Sequence, residues 1–354
     1  MSLDARNPGA ARGPLILMLI AATIVSPLFA LAQGAVPLTL NEVVAVIAQA
    51  GGLERAADPF QYAILMEIRL PRVLMALIVG AILGMAGALM QTLFRNPLAD
   101  PGLIGTSAGA ALAAALAMIL GNVLFSGIAA ALAIWFVPAF AFLGALSAML
   151  LVLRLANYRG QMDASHLLLA GIAVNALAGA GIGLLVYTAT DDQLRNFTVW
   201  TLGSLASASW TKVFVAGGVL ALLIAMTPRL VKPLNALLLS EGDAACLGFE
   251  VARLKLLLLL LSALAVGVVV AFCGVIGFVG LVVPNLARLL VGPNHAWQLP
   301  TCMLMGAVLL SLADVLARVL VAPTELPIGV LTALLGAPFF IALLRQRVRA
   351  LAYA

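Results

Sequence analysis

The segment LLLLLLSALAVGVVVAFCGVIGFVGLVVPNLA, residues 256–287, contains no charged side chain. At about 1.5 Å per residue in a helix, it is long enough for most of two crossings of a hydrocarbon layer about 30 Å thick. Cys273-Gly274, near its middle, is suited to the turn between the two crossings. The run Leu256–Leu261 is apolar on every side, which excludes a β-barrel strand, because such strands alternate apolar and polar residues. The segment therefore predicts membrane-spanning helices.

The remainder of the chain has the same character. Of 354 residues, 64% are hydrophobic and 9% are charged, whereas a soluble domain has roughly 45–50% apolar and 25% charged residues. We therefore predict an all-α, polytopic bundle that forms a single domain over residues 1–354. Windows of about 20 mostly apolar residues predict ten spans, near 14–33, 73–93, 102–120, 128–153, 166–189, 210–230, 254–273, 275–291, 298–320 and 328–344.

The basic residues predict the orientation of the bundle. If both termini are cytoplasmic, 13 of the 19 Lys and Arg residues lie in cytoplasmic segments, as the positive-inside tendency requires. The other side retains Arg55, Arg69, Arg72, Arg195, Lys212 and Arg318. A net charge of +5 could suggest nucleic acid, but these residues are scattered between spans, so we predict a lipid bilayer and no nucleic acid as partner.

The first apolar segment has two interpretations. A basic start, an apolar run from Pro14 and the tripeptide Ala30-Leu31-Ala32 resemble a signal peptide with its cleavage site. The same residues also fit a first span. Cleavage would leave the orientation of the other nine spans unchanged.

The chain lacks the residue patterns of an enzyme. Cys246, Cys273 and Cys302 show no metal-ligand spacing, and His166 and His295 have no ligand partner at helical spacing. No lysine follows the glycine pattern of a phosphate-binding loop. We therefore predict no metal, no cofactor and no ATP hydrolysis by this chain alone.

An ion-driven carrier would usually bury titratable residues in its spans. The only acidic residue well inside a predicted span is Asp314, four residues before Arg318. This spacing predicts an ion pair on one helix face. A carrier or exporter that works alone remains the competing class.

Several motifs together resemble one family. They are RLPR (69–72), GAILGMAGALMQ (80–91), NPLADPGLIG (96–105), LLAGIA (168–173), WTLGSL (200–205), GFVGLVVPNLAR (277–288) and ELPIGV (325–330). Over residues 65–345 the chain resembles the FecCD family of ABC-importer permeases, which import iron-siderophores, haem and cobalamin. The resemblance implies ten spans per subunit, with the pathway at the interface of a homodimer. It also implies a cytoplasmic ABC ATPase dimer and a periplasmic binding protein as partners, and a bacterial inner membrane as location.

The resemblance assigns roles to polar residues at the two faces. Carried over, the arginines on which the binding protein docks are Arg69, Arg72 and Arg318. The loop 235–255 corresponds to the segment that seats in the ATPase, with Glu241, Gly242, Ala245, Leu247 and Gly248 as coupling residues. Ala164 and Ser165 occupy the position of the cytoplasmic gate, although Ala164 departs from the small hydroxyl residues of relatives.

The cargo prediction rests on residues 191–204, DDQLRNFTVWTLGS, which look more like the haem-importing members than the siderophore importers. The resemblance therefore implies haem as cargo, with ferric siderophore or cobalamin as alternatives.

Overall fold

A computed structural model describes residues 12–34, 39–50, 52, 58–124, 126–158, 161–322 and 324–352. Fifteen α-helices lie in these ranges. They are α1 (Arg12–Ala32), α2 (Leu40–Ala50), α3 (Pro59–Ala63), α4 (Leu70–Leu93), α5 (Thr106–Leu124), α6 (Ser126–Leu132), α7 (Phe136–Ala156), α8 (Ala164–Tyr187), α9 (Asp191–Thr201), α10 (Trp210–Leu237), α11 (Glu241–Cys246), α12 (Val251–Cys273), α13 (Val279–Val291), α14 (His295–Val319) and α15 (Ile328–Ala352).

Shorter elements connect these helices. A π-helical segment, Ile64–Arg69, joins α3 to α4, and 3₁₀ turns lie at Pro101–Ile104 and Ala133–Trp135. The strands β1 (Asn157–Tyr158) and β2 (Gln161–Met162) pair antiparallel. The predicted all-helical fold is confirmed, with this hairpin as a small addition.

Seven helical segments are long and apolar enough to cross a membrane: Arg12–Ala32, Pro59–Leu93, Phe136–Ala156, Ala164–Tyr187, Trp210–Leu237, Val251–Cys273 and His295–Val319. The chain is thus a multi-pass membrane protein, as predicted. The three other predicted windows fall on α5, α13 and α15, whose apolar parts are shorter. The count of ten spans and the orientation stay predictions. Arg6, Arg55 and Arg159, used for the orientation, lie outside the described residues.

The centre of the bundle is the antiparallel pair α4 and α14. Their backbones touch where Gly80 meets Gly306, and Gly84 meets the carbonyl of Cys302. A Cβ at any of these glycines would collide with backbone, so the small-residue spacing Gly80-xxx-Gly84 permits the close approach. A second small-residue spacing, Gly105-xxx-Gly109, divides its roles: Gly109 lies against the backbone of Gly144, whereas Gly105 lies in a turn at φ 84°, where glycine is favoured.

Two boundaries follow from local sequence: Asp100 and Pro101 favour the start of a helical turn, here the 3₁₀ turn Pro101–Ile104, and Cys273-Gly274 favours the predicted end of a helix. Asp100 accepts a bond from the backbone N–H of Gly102 at 2.8 Å, and Pro101 follows it in the first turn. Helix α12 ends at Cys273, and Gly274 takes φ 70°. These turns direct the polar segments to two opposite ends of the bundle. Helix α4 separates the ends by about 36 Å, at roughly 1.5 Å for each of its 24 residues.

Candidate functional sites at the two ends of the bundle

One end of α4 carries a cluster of five charged residues, four of them buried, which we call the arginine cluster: Arg69, Arg72, Asp314, Arg318 and Glu325. Arg72 binds Asp314 Oδ1 through Nη2 at 2.9 Å and Glu325 Oε1 through Nη1 at 2.8 Å. Arg318 Nε lies 3.1 Å from Asp314 Oδ2, which confirms the predicted ion pair. Asp314 therefore forms ion pairs with both Arg72 and Arg318. The i, i+4 spacing predicted only the pair with Arg318.

The other donors of the cluster hold the end of α1. Arg69 Nη1 donates to the carbonyls of Leu31 at 2.6 Å and Ala32 at 3.4 Å. Arg318 donates to the carbonyls of Ala30 at 3.1 Å and Gln33 at 2.8 Å. The last carbonyls of a helix have no partners within the helix and carry partial negative charge. The two guanidinium groups therefore cap α1.

All three arginines predicted as docking residues are thus brought together, but they are buried and engaged within the chain. The partly exposed member is Glu325, whose side chain is 43% exposed. Sequence reasoning missed Glu325 as a partner of Arg72, since 253 positions separate the two residues.

Three motifs of the resemblance meet beside the same end. The N–H groups of Ile328 and Gly329 donate to the carbonyls of Gly203 and Leu202, at 3.1 and 3.0 Å. The N–H of Ser204 donates to Cys273 O at 2.8 Å. An apolar groove of about 650 Å³ opens along this junction, lined by residues that include Thr201, Leu202, Phe278, Val330, Pro338 and Ile341.

The opposite end carries α11 and the turn after it. Ser240 begins the helix by accepting from the N–H of Asp243 at 2.9 Å, and Gly248 ends the following turn at φ 88°. Ala244 is fully buried against the bundle. The predicted coupling residues are together here. Gly242, Ala245, Leu247 and Gly248 are exposed, with Leu247 at 61%, while Glu241 pairs with Lys255.

The predicted gate residues begin α8. Ala164 is its first residue and is half-buried, and Ser165 beside it is exposed. They follow the short hairpin of β1 and β2.

Asp100 lies in the loop between α4 and α5. Burial raises the pKa of this carboxyl, and the bond from the N–H of Gly102 partly opposes that rise. The carboxylate gains one capping bond there but loses part of its hydration.

Comparison with known proteins now identifies the architecture. The model of the FecCD transport family matches residues 19–346. The chain belongs to the FecCD transport family. It is an ABC-importer permease of the FecCD type, and such permease subunits are not themselves enzymes.

Individual relatives agree with this assignment. The hemin transport system permease protein HmuU of Yersinia pestis is 48% identical over 283 residues, which cover 80% of this chain and 83% of that protein. The cobalamin import system permease protein BtuC of Halobacterium salinarum is 40% identical over 306 residues, 86% of this chain and 80% of that protein.

The fold has a counterpart among solved structures. An ABC transporter assigned to the metal-chelate type, solved in an inward-facing conformation, superposes with a TM-score of 0.81 and 32% identity. The match covers 94% of this chain and 99% of that one.

Proposed function

We propose that this chain is the membrane-spanning subunit of an ATP-driven importer that takes up haem delivered by a binding protein. The observation that carries the proposal is α11, a short helix with exposed apolar residues at one end of a FecCD permease. Because the chain has no phosphate-binding loop, an ATP-driven import needs a separate ATPase chain, and α11 offers a surface on which that chain can bind.

In this proposal α11 seats in a cytoplasmic ATPase dimer. Ala245, Cys246 and Leu247 present small and apolar side chains to solvent, and burying a leucine side chain contributes about 1.5–3 kcal/mol. Gly242 and Gly248, at either side, allow another backbone to approach closely. The other end then faces the periplasm across a bacterial inner membrane.

Docking of the binding protein is proposed at the arginine cluster. Arg69, Arg72 and Arg318 carry three positive charges, against two negative charges on Asp314 and Glu325. Glu325 occupies the outer side of Arg72. A carboxylate of the binding protein would therefore compete with Glu325 for Arg72, and the excess positive charge would favour its approach.

A second copy of the chain is the proposed partner along α8. This helix exposes Leu169, Ile172, Leu177 and Leu184, and the space beside Gly179 and Gly183 is open. Two facing α8 helices would enclose a pathway lined by apolar and small residues. Ala164 and Ser165 would then narrow its cytoplasmic end.

Haem is the proposed cargo for two reasons. The hemin permease HmuU is 48% identical to this chain, against 40% for the archaeal BtuC. The groove at the motif junction is also apolar, which suits the apolar ring of an iron-porphyrin. Ferric siderophore and cobalamin are the alternatives within the same class.

Reconstitution into proteoliposomes tests both the energy source and the cargo. With the ATPase and the binding protein present, we expect ATP-dependent uptake of haemin, and little uptake of a ferric siderophore or cobalamin. Uptake without ATPase or ATP would support the ion-coupled class instead. ATP-dependent uptake that prefers cobalamin or a siderophore would support the importer proposal and contradict the proposal that haem is the cargo.

Docking is tested at Glu325. Replacing Glu325 with Gln removes the competing charge from Arg72, so we expect tighter binding-protein docking that weakens as salt rises. The charge reversal Arg72→Glu should abolish docking. Unchanged docking in both variants would place the binding protein elsewhere.

A further inference from the structure

Two long basic side chains connect α11 to two different spanning helices. Arg95 follows the end of α4, and Lys255 is the fifth residue of α12. Each contacts a different point at the start of α11. Neither basic residue is itself among the predicted docking, gate or coupling residues, although Glu241, the partner of Lys255, is a predicted coupling residue.

Arg95 occupies a backbone position that normally favours glycine. The N–H of Asn96 donates to Gln91 O, and that of Arg95 donates to Thr92 O, both at 3.1 Å. This pair of bonds is the Schellman motif, in which the residue at the position of Arg95 is left-handed and is usually glycine. Arg95 takes φ 48°. Glycine would satisfy this turn without strain, so the side chain of Arg95 has a use that glycine could not supply.

That use is a bond to the start of α11. Arg95 Nη2 donates to the carbonyl of Leu239 at 2.9 Å. Leu239 directly precedes Ser240, the residue that caps α11. The end of α4 thereby holds the entry into α11.

Lys255 makes the second connection. Its side chain is only 4% exposed, and its Nζ lies 2.6 Å from Glu241 Oε2, in the first turn of α11. A buried ammonium group requires a charged or hydrogen-bonding partner. The ion pair therefore holds α11 against α12, and the Lys255 end of the pair is shielded from water.

Helix α11 depends on such contacts for its orientation. It has six residues, far fewer than the roughly 12–15 that an isolated helix needs in water. Ala244 is its buried residue, and the side chains on its other faces are largely exposed. Without side-chain contacts to neighbouring helices, we expect the orientation of α11 relative to the bundle to vary.

We propose that Arg95 and Lys255 are positioning residues that lock α11 to α4 and α12, so that a displacement of α11 moves both spanning helices. The proposal rests on the proposed role of α11 in ATPase coupling. Helix α4 also runs to the arginine cluster, where Arg72 lies in its first turn. The contact of Arg95 therefore links α11 to the helix whose other end carries Arg72 of the arginine cluster.

The first experiment uses the native Cys246, which is exposed, whereas Cys273 and Cys302 are buried. A nitroxide spin label on Cys246 reports the mobility of α11 in the permease alone. We expect the mobile fraction of the spectrum to rise at least twofold in Arg95→Gly and in Lys255→Met.

The matched control for these spectra is Arg253→Met, two positions before Lys255. Arg253 is 81% exposed and pairs with Glu250 outside α11. Its spectrum should match the unmodified protein. Arg95→Gly also removes the left-handed strain, so lost stability cannot explain a rise in its mobility. If the spectra of Arg95→Gly and Lys255→Met superposed on that of the unmodified protein, the proposed positioning role of Arg95 and Lys255 would be wrong.

The second experiment separates this inference from the proposed function. In the reconstituted complex, ATPase binding should protect Cys246 from maleimide, and failure of protection in the unmodified protein would reject coupling through α11. Arg95→Gly and Lys255→Met are compared with the unmodified complex at ATPase concentrations that saturate the permease, so that a change in ATPase affinity does not affect the result. The number of cargo molecules transported per ATP hydrolysed should fall at least fivefold. The cargo in this assay is whichever of haemin, ferric siderophore or cobalamin the unmodified complex transports. An unchanged ratio in both variants would reject the positioning role.

Discussion

The two ends of α4 use polar residues in opposite ways. At the end that carries Arg72, the arginine cluster is largely buried, and most of its donors bind carbonyls or carboxylates of the same chain. At the end that carries α11, Ala245 and Leu247 are exposed to solvent, and the charged contact of the helix lies at its start. We infer that the first arrangement mainly stabilises the bundle, while the second mainly leaves a surface for a partner. The following substitutions test that contrast.

The largest effect on stability is expected for Asp314→Asn. The change leaves Arg72 and Arg318 buried without the carboxylate that they share. Removing one partner of a buried ion pair costs about 3–5 kcal/mol. Thermal unfolding in detergent should show a lower midpoint, whereas Glu325→Gln, at a half-exposed carboxylate, should change it little. Equal midpoints for both variants would contradict the structural role of Asp314.

The next effect concerns binding and not stability. Leu247→Asp places a charge on the exposed tip of α11 while the buried Ala244 remains. We expect the midpoint of unfolding to stay the same, and the affinity for the ATPase to fall at least tenfold, about 1.4 kcal/mol. Affinity is measured by titrating the permease with the ATPase. Full affinity in Leu247→Asp would place the ATPase contact elsewhere.

A smaller loss of stability is expected for Arg69→Met. The buried carbonyl of Leu31 then loses its donor, and an unsatisfied buried group costs about 1–3 kcal/mol. Limited proteolysis near residue 33 measures the release of α1 from the bundle. Arg195→Met changes an exposed arginine near the same end and should leave the digestion rate unaltered. The same rate in Arg69→Met would show that Arg69 does not cap α1.

The smallest effect is expected at Asp100. Because its folded pKa is raised, its contribution to stability is fully present below the unfolded pKa and is lost as pH rises through the folded pKa. Asp100→Asn keeps an oxygen that can cap Gly102 and removes the titration. The midpoint of unfolding should therefore rise on acidification in the unmodified protein relative to Asp100→Asn. Parallel pH profiles would contradict the raised pKa.

The sequence determined the helical membrane fold, because uncharged runs such as 256–287 leave few alternatives in lipid. It also determined local boundaries such as Asp100-Pro101-Gly102 and Cys273-Gly274, where capping and left-handed backbone depend on neighbouring residues. The family followed from motifs spread over most of the chain. The spacing Gly80-xxx-Gly84 is typical of close helix contacts, but it does not indicate that the partner of Gly80 is Gly306.

Only the tertiary structure decided which polar groups meet. Spacing gave Asp314 and Arg318 as a pair, but Arg72 and Glu325 come from distant segments, and the carbonyls of α1 bear no sequence signal as acceptors. Likewise, Arg95 reads as one more basic residue after a span until its left-handed backbone and its bond to Leu239 are seen. Local rules act over a few residues, whereas burial and hydrogen bonding between helices depend on how the whole bundle packs.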